Sequence, residues 1–317
     1  MGIVSSVFAG KRYAVLGLAR SGLATVECLY ASGAHVLAWD SREDTHDAVA
    51  GKAEIADPMT IDLTGYDGVV VSPGVPLNRH PIAEYARSFG VPVIGDIELF
   101  ALARPTLPAH KVVGITGTNG KSTTTALVHH IIETAGIPTR MGGNIGLPIL
   151  GQEPLPQGGI YVLELSSYQI DLTFSLDCDV AVLLNITPDH LDRYDGFEGY
   201  VASKERLFAM QSSDHAAVIS PLNSVSREVA RRVQAARGKL TDWSALEQTS
   251  EKWPSLQGPH NLENAAAAIA TSAILGIDRE IIDAALETYA ALPHRMQRVA
   301  ERNGVLWVND SKATNAA

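Results

Sequence analysis

Two doubly wound α/β domains in series are predicted by three features of this 317-residue chain. Short, wholly apolar runs alternate with helical patterns, the mark of parallel strands covered on both faces. Two of these runs lead directly into glycine-containing turns that open helices, "GLARSG" and "GTNGKS". The length suits about two domains at roughly 150 residues each.

The elements follow in order. "RYAVLGL", "HVLAWD", "GVVVSPG" and "VPVIGD" read as strands of the first domain, separated by stretches such as "SGLATVECLYASG". "ALARPTLPAHK", Ala101 to Lys111, carries two prolines and reads as a linker. A second series follows in "KVVGITG", "IYVLELSS", "VAVLLNI" and "HAAVIS". Near the end Asn303-Gly304 divides two strand-like halves, a hairpin signal. The expected division is 1–104, 105–311, and 312–317 as the start of something further.

Composition removes several classes. Cys28 and Cys178 are too few and too far apart for a disulfide framework or a zinc knuckle, so a reducing, cytoplasmic setting is expected. No apolar run approaches the ~18 residues of a membrane span, and the start lacks the basic flank of a secretory signal. Acidic residues outnumber basic ones 35 to 25 without a Lys/Arg block, which argues against a nucleic-acid surface. Small phosphorylated ligands stay open, since aimed lysines, a helix N-terminus and metal ions bind them locally.

"VVGITGTNGKSTTTALV" supplies such a place. After a parallel strand, backbone N–H groups of a tight turn and a helix N-terminus form an anion site. A lysine reaches the outer phosphates and a Ser/Thr hydroxyl ligates magnesium. Gly117, Thr118, Asn119, Gly120, Lys121, Ser122 and Thr123 provide these parts, although Ile115 stands where the strict pattern has glycine. ATP is the expected ligand, in a P-loop-type α/β ATPase domain. Three polar residues then break apolar patterns: Glu164 in "IYVLELSS", His190 in "TPDHLDRY", and Lys204 inside the stripe of Phe197, Tyr200, Val201, Leu207 and Phe208. Each has a structural alternative: a paired acid, a satisfied loop histidine, a snorkelling lysine. Together with the loop they suggest Mg2+ near a γ-phosphate. A desolvated lysine favours its neutral form, which can take up carbon dioxide as an anionic carbamate.

In the first domain, "GLARSG" followed by Asp40 is similar to a Rossmann dinucleotide fingerprint, with Ala19 in place of the middle glycine. A nucleotide diphosphate or simple helix-on-strand packing both explain it. Asp40, Arg42 and "SPG" (Ser72-Pro73-Gly74) border the expected crevice.

Read together, "GLARSG", "SPGVP", "GDIELF", "GITGTNGKST", "GGNIGLP", "LELSSYQ", "NITPDHLDRY", "SKERLF", "GPHNLENAAAA", "LPHRMQ" and "VNDSKATN" resemble the Mur ligase family of peptidoglycan synthesis. "GDIELF" and the first-domain pattern favour its D-glutamate-adding members. The resemblance implies an ATP-dependent amide ligase acting on UDP-N-acetylmuramoyl-L-alanine and D-glutamate through an acyl phosphate. It also implies roles. Lys121 would bind the β/γ-phosphates; Ser122 and Glu164 would hold one magnesium, His190 and carbamylated Lys204 a second. Asn261 and Asn264 would meet adenine, Arg295 and Asp310 the phosphate and ribose regions. Arg20, Ser21, Asp40, Ser41, Arg42 and Gly74 would cradle the UDP part, with Asn144 and His190 near the muramoyl-alanine end. Lys312 and Thr314 would lie by D-glutamate. A monomer, with neither nucleic acid nor membrane as partner, is expected.

These ligases have a third α/β domain after the "DSKAT" stretch, so this polypeptide is expected to bind the UDP substrate, bind ATP weakly and have little ligase activity by itself. Two other readings stay open: an NAD-dependent oxidoreductase using the "GLARSG" domain, and a non-catalytic nucleotide-binding module.

Overall fold

The computed structural model describes residues 2–237, 252–295 and 297–312. The first half carries β1 (Arg12–Leu16), α1 (Arg20–Ala31), β2 (His35–Trp39), β3 (Glu54–Ile55), β4 (Gly68–Val71), α2 (Ile82–Ser88), β5 (Val93–Ile94) and α3 (Asp96–Ala103). Its sheet is parallel throughout, in the order β3-β2-β1-β4-β5. The chain leaves β1 toward one edge and β4 toward the other, so the order reverses between them. Open α/β sheets bind ligands outside the strand ends at such a point.

The second half repeats the plan with β6 (His110–Thr116), α4 (Lys121–Thr134), β7 (Thr139–Gly143), β8 (Gly159–Glu164), α5 (Ser167–Asp171), β9 (Val180–Leu183), α6 (Gly196–Ala209) and β10 (Ala216–Ile219). Helices α7 (Ser224–Arg237), α8 (Pro259–Ile274) and α9 (Arg279–Thr288) follow. The parallel order β10-β9-β6-β8-β7 places the reversal between β6 and β9. Every residue of β4, β8 and β9 is buried, as strands with helices on both faces require.

Strands β11 (Gln297–Arg302) and β12 (Val305–Asn309) pair antiparallel. Asn303 and Gly304 have φ of 53° and 74°, both left-handed as a two-residue turn of this hand requires.

Two expectations need correction. The stretch Ala101 to Lys111 is not all linker: Ala101 and Ala103 are buried in α3, Pro105 lies in a 3-10 turn, and β6 begins at His110. Edge strands β3 and β7 carry no apolar run and were not expected.

The two sheets share one buried cluster that includes Phe8, Val15, Leu150, Leu163 and Leu183. Polar contacts also cross between them. Glu98 on α3 accepts from the N–H groups of Phe174 and Ser175 at 2.7 and 2.9 Å, and from the Ser175 hydroxyl at 2.7 Å. Asn78 donates to the Asp192 carbonyl and Arg20 to the Gly146 carbonyl. Both reversal points therefore face one region.

Candidate active site

The turn after β6 is shaped by two glycines. Gly120 adopts φ 83°, and a Cβ there would lie 2.2 Å from Asn264 Oδ1. It caps α4, whose open first turn offers N–H groups to an anion. Lys121 curls over the turn, its Nζ donating to the carbonyls of Gly117 at 3.0 Å and Thr118 at 2.8 Å. Burial lowers its pKa, against the opposing pull of Glu164 and Asp189.

Glu164, at the end of β8, is 2 % exposed. Its Oε1 accepts from Asn144 Nδ2 at 2.7 Å, while Oε2 is buried with no hydrogen-bond partner among the described residues. Such an orphan is costly unless something ligates it. Lys204, 1 % exposed within the apolar stripe of α6, donates to the Gly117 carbonyl at 2.9 Å and lies 4.6 Å over the Tyr200 ring. Burial and the nearby charge of Lys121 drive its pKa well below the ordinary lysine value. His190 has φ 50°, with Nε2 3.6 Å from Asp189 Oδ2 and its ring 5.1 Å from Tyr168.

The free oxygen of Glu164 and the Ser122 hydroxyl are hard donors that suit magnesium. Among the described residues no three His, Cys, Asp or Glu side chains form a metal cage. Lys204 as an amine donates to a carbonyl and fits a metal only once converted to a carbamate.

A cleft of about 790 Å³ opens above this turn. Thr118, Asn119, Gly120, Lys121, Ser122 and Thr123 line it, together with Asn261, Asn264, Arg295, Asp310, Glu164 and His190. A second cleft of about 440 Å³ lies at the β1/β4 reversal, lined by Arg20, Ser21, Asp40, Gly74 and Asn144 among others. The two share Pro73, Gly74 and Asn144. Asp40 accepts from the N–H groups of Leu18 at 2.7 Å and Arg42 at 3.0 Å. Burial would raise its pKa, but these bonds and the Arg42 guanidinium outweigh it and the pKa falls.

Other residues are not brought in. Gly117 and Lys204 lie beneath the first cleft rather than on its wall, and Ser41 and Arg42 are exposed outside the second. Lys312 is exposed, its N–H donating to the His294 carbonyl, and Thr314 lies outside the described residues. The helix-packing reading of "GLARSG" holds in part, since a Cβ on Gly22 would sit 1.8 Å from the Gly17 carbonyl. Sequence reading missed Asn185, Asp189, Tyr168 and Tyr289, all on the wall of the first cleft. Asn185 ends an apolar run and, with Asp189, stands in "NITPDHLDRY"; Tyr168 stands in "LELSSYQ".

Residues 115–254 match the Mur ligase middle domain, and residues 11–95 the Mur ligase MurD-like, N-terminal domain. A UDP-N-acetylmuramoylalanine--D-glutamate ligase of Novosphingobium aromaticivorans is 66% identical over 99% of this chain and 72% of its own length. The chain belongs to the Mur ligase family. A Sphingopyxis alaskensis protein of the same name is 64% identical over 99% of the chain and 73% of its own length. Among solved structures, a UDP-N-acetylmuramate:L-alanyl-gamma-D-glutamyl-meso-diaminopimelate ligase from Neisseria meningitides shares the fold at TM-score 0.59 and 19% identity, over 90% of this chain and 99% of that one. Thermotoga maritima MurC does so at 0.54 and 19%, over 95% and 74%. As a Mur ligase the chain is of the ATP-using, magnesium-requiring ligase class, and the oxidoreductase reading is not favoured.

Proposed function

We propose that this Mur ligase chain binds UDP-N-acetylmuramoyl-L-alanine in its N-terminal cleft and ATP in its central cleft, for ATP-dependent addition of D-glutamate. The observation that carries this reading is the meeting of the two clefts at Asn144, whose amide donates to Glu164. A carboxylate entering from one side thereby faces a terminal phosphate entering from the other.

The alanyl carboxylate attacks the γ-phosphorus, the bond to the β-phosphate oxygen breaks, and an acyl phosphate and ADP result. The amine of D-glutamate adds to the acyl carbon, loses a proton, and the tetrahedral intermediate expels phosphate to leave the amide. A carboxylate is a poor electrophile and the first encounter joins two anions, so catalysis rests on charge stabilisation and alignment.

Lys121 leaves the Gly117 and Thr118 carbonyls to pair with the β/γ-phosphates. The N–H groups opening α4 hold the same anion, and Thr118, Asn119, Gly120 and Thr123 shape its seat. Ser122 and Glu164 would hold one magnesium, and His190 with carbamylated Lys204 a second. The metal would draw charge from the transferring phosphate. Asn261 and Asn264 take the adenine, Arg295 and Asp310 the phosphate and ribose. Arg20, Ser21, Asp40 and Gly74 take the UDP part, with Ser41 and Arg42 at its rim and Asn144 by the alanyl end. Lys312 and Thr314 face D-glutamate.

The division 1–104 and 105–311 fits the two reversal points. No described helix is long and apolar enough to cross a membrane. We place the work in the cytoplasm, which the two buried, separate cysteines support, with a monomer as the unit.

Calorimetry tests the reading. UDP-N-acetylmuramoyl-L-alanine should bind this chain far more tightly than NAD(H), and the reverse preference overturns it. In a chain extended to a relative's full length, phosphate release from ATP should require both UDP substrate and D-glutamate. Release independent of either one contradicts the proposed reaction.

A further inference from the structure

Ile115 leaves a structural question at the phosphate turn. It is wholly buried in β6 and paired in register with both β8 and β9, so the backbone cannot begin to bend there. The turn starts only at Gly117, and few residues remain to curve the chain before α4. A partner outside the turn supplies what is missing. The Thr118 N–H donates to the Asn185 carbonyl at 2.8 Å. The Asn185 side chain then pairs with both backbone groups of the next residue. Its Oδ1 accepts from the Asn119 N–H at 2.8 Å, and its Nδ2 donates to the Asn119 carbonyl at 3.1 Å. Two residues on, the Thr187 N–H donates to the Thr118 hydroxyl at 3.0 Å.

We propose that Asn185 is the positioning residue that shapes the phosphate turn, doing from the loop just past β9 what a glycine at 115 would do within the turn. An amide is the group this task needs, because it both accepts and donates in one plane. With the N–H groups of Thr118 and Asn119 turned toward β9, the amides of Gly120, Lys121 and Ser122 are left to meet an anion. The role rests on the nucleotide assignment above. It deepens that assignment by separating the ligand's phosphate part, which Asn185 governs, from its base, which it does not.

The test uses the full 317-residue chain and its Asn185→Ala and Asn185→Asp variants. Binding of ADP with magnesium, adenosine and UDP-N-acetylmuramoyl-L-alanine is measured by calorimetry or competition NMR, alongside thermal melting. Losing two backbone-directed bonds should weaken ADP by about tenfold in Asn185→Ala. Adenosine and the UDP substrate should hold within about twofold, since their contacts lie elsewhere. Asn185→Asp keeps the acceptor, loses the donor and adds a negative charge near the phosphates, so it should weaken ADP at least as much. It also stands as the second reading should the alanine variant fail to fold. Equal weakening of ADP and adenosine, or unchanged ADP affinity in a folded variant, overturns the proposal. If the unaltered chain binds the UDP substrate but no adenine nucleotide, the assignment of the central cleft falls and this role with it.

Discussion

The two crevices are built to one plan and filled with opposite electrostatics. Each sits where a parallel sheet reverses its order, above a glycine turn tied to the strand across the gap. In the first, Ser72 donates to the Gly17 carbonyl at 2.7 Å; in the second, Asn185 grips Asn119. In the first crevice the Asp40 carboxylate already has the N–H groups of Leu18 and Arg42. In the second, among the described residues, Lys121 and Lys204 donate to carbonyls of the turn, and one oxygen of Glu164 has no hydrogen-bond partner. Ligand-binding folds alike can thus differ in whether they meet their ligand with charges already spent or with charges held in reserve.

Removing a reserved charge should break this contrast most strongly. Lys121→Ala should cost about a hundredfold or more in turnover of a full-length form, the scale of a lost transition-state contact, and weaken ATP. UDP-substrate affinity should stay within about twofold, as calorimetry on both ligands would register. Lys204→Ala should likewise remove turnover and spare the UDP substrate. Intact-protein and peptide masses at ample bicarbonate should show one added carbon dioxide at Lys204, and a bare amine there would count against the carbamate.

A pH titration separates the halves in another way. Burial raises the pKa of Asp96, in the N-terminal half, from 3.8 to about 6. Its folded form therefore holds the proton longer than its unfolded form. The stability it contributes is full below 3.8 and is lost as pH rises through about 6, by an amount near 3 kcal/mol. Melting curves across that window should fall for the parent and flatten for Asp96→Asn. Asp40→Asn acts in the opposite sense and more weakly. The folded Asp40 pKa is lowered, so its contribution exists above the unfolded value and disappears as pH drops through the folded one. Losing charge-assisted bonds to the Leu18 turn should weaken the UDP substrate by about tenfold and leave ATP unchanged.

What could be read in advance follows from where each signal resides. Runs such as "GVVV" and "IYVLE" announce buried parallel strands because burial on both faces demands apolar residues throughout. Edge strand β7, "TRMGG", pairs only with β8 and needs no such run; its Gly143 is fixed instead by backbone passing where a Cβ would lie 2.1 Å from the Glu164 carbonyl. The prolines after Ala103 suggested a longer linker than exists, since Pro105 is accommodated in a 3-10 turn. Lys204 was legible as a lysine inside an apolar stripe. The grip of Asn185 on Asn119 was not, because it depends on β6 and β9 lying side by side, a pairing between segments 66 residues apart. Nor did the sequence around Asp40 reveal that this carboxylate turns inward while Ser41 and Arg42 face solvent.

The most direct measurement is a crystal of this chain with UDP-N-acetylmuramoyl-L-alanine, a non-hydrolysable ATP analogue and magnesium. The γ-phosphate should lie between Lys121 and the free oxygen of Glu164, with the alanyl carboxylate arriving beside Asn144. An analogue absent from the Gly117–Ser122 turn, or a UDP substrate whose carboxylate points away from Asn144, would contradict it.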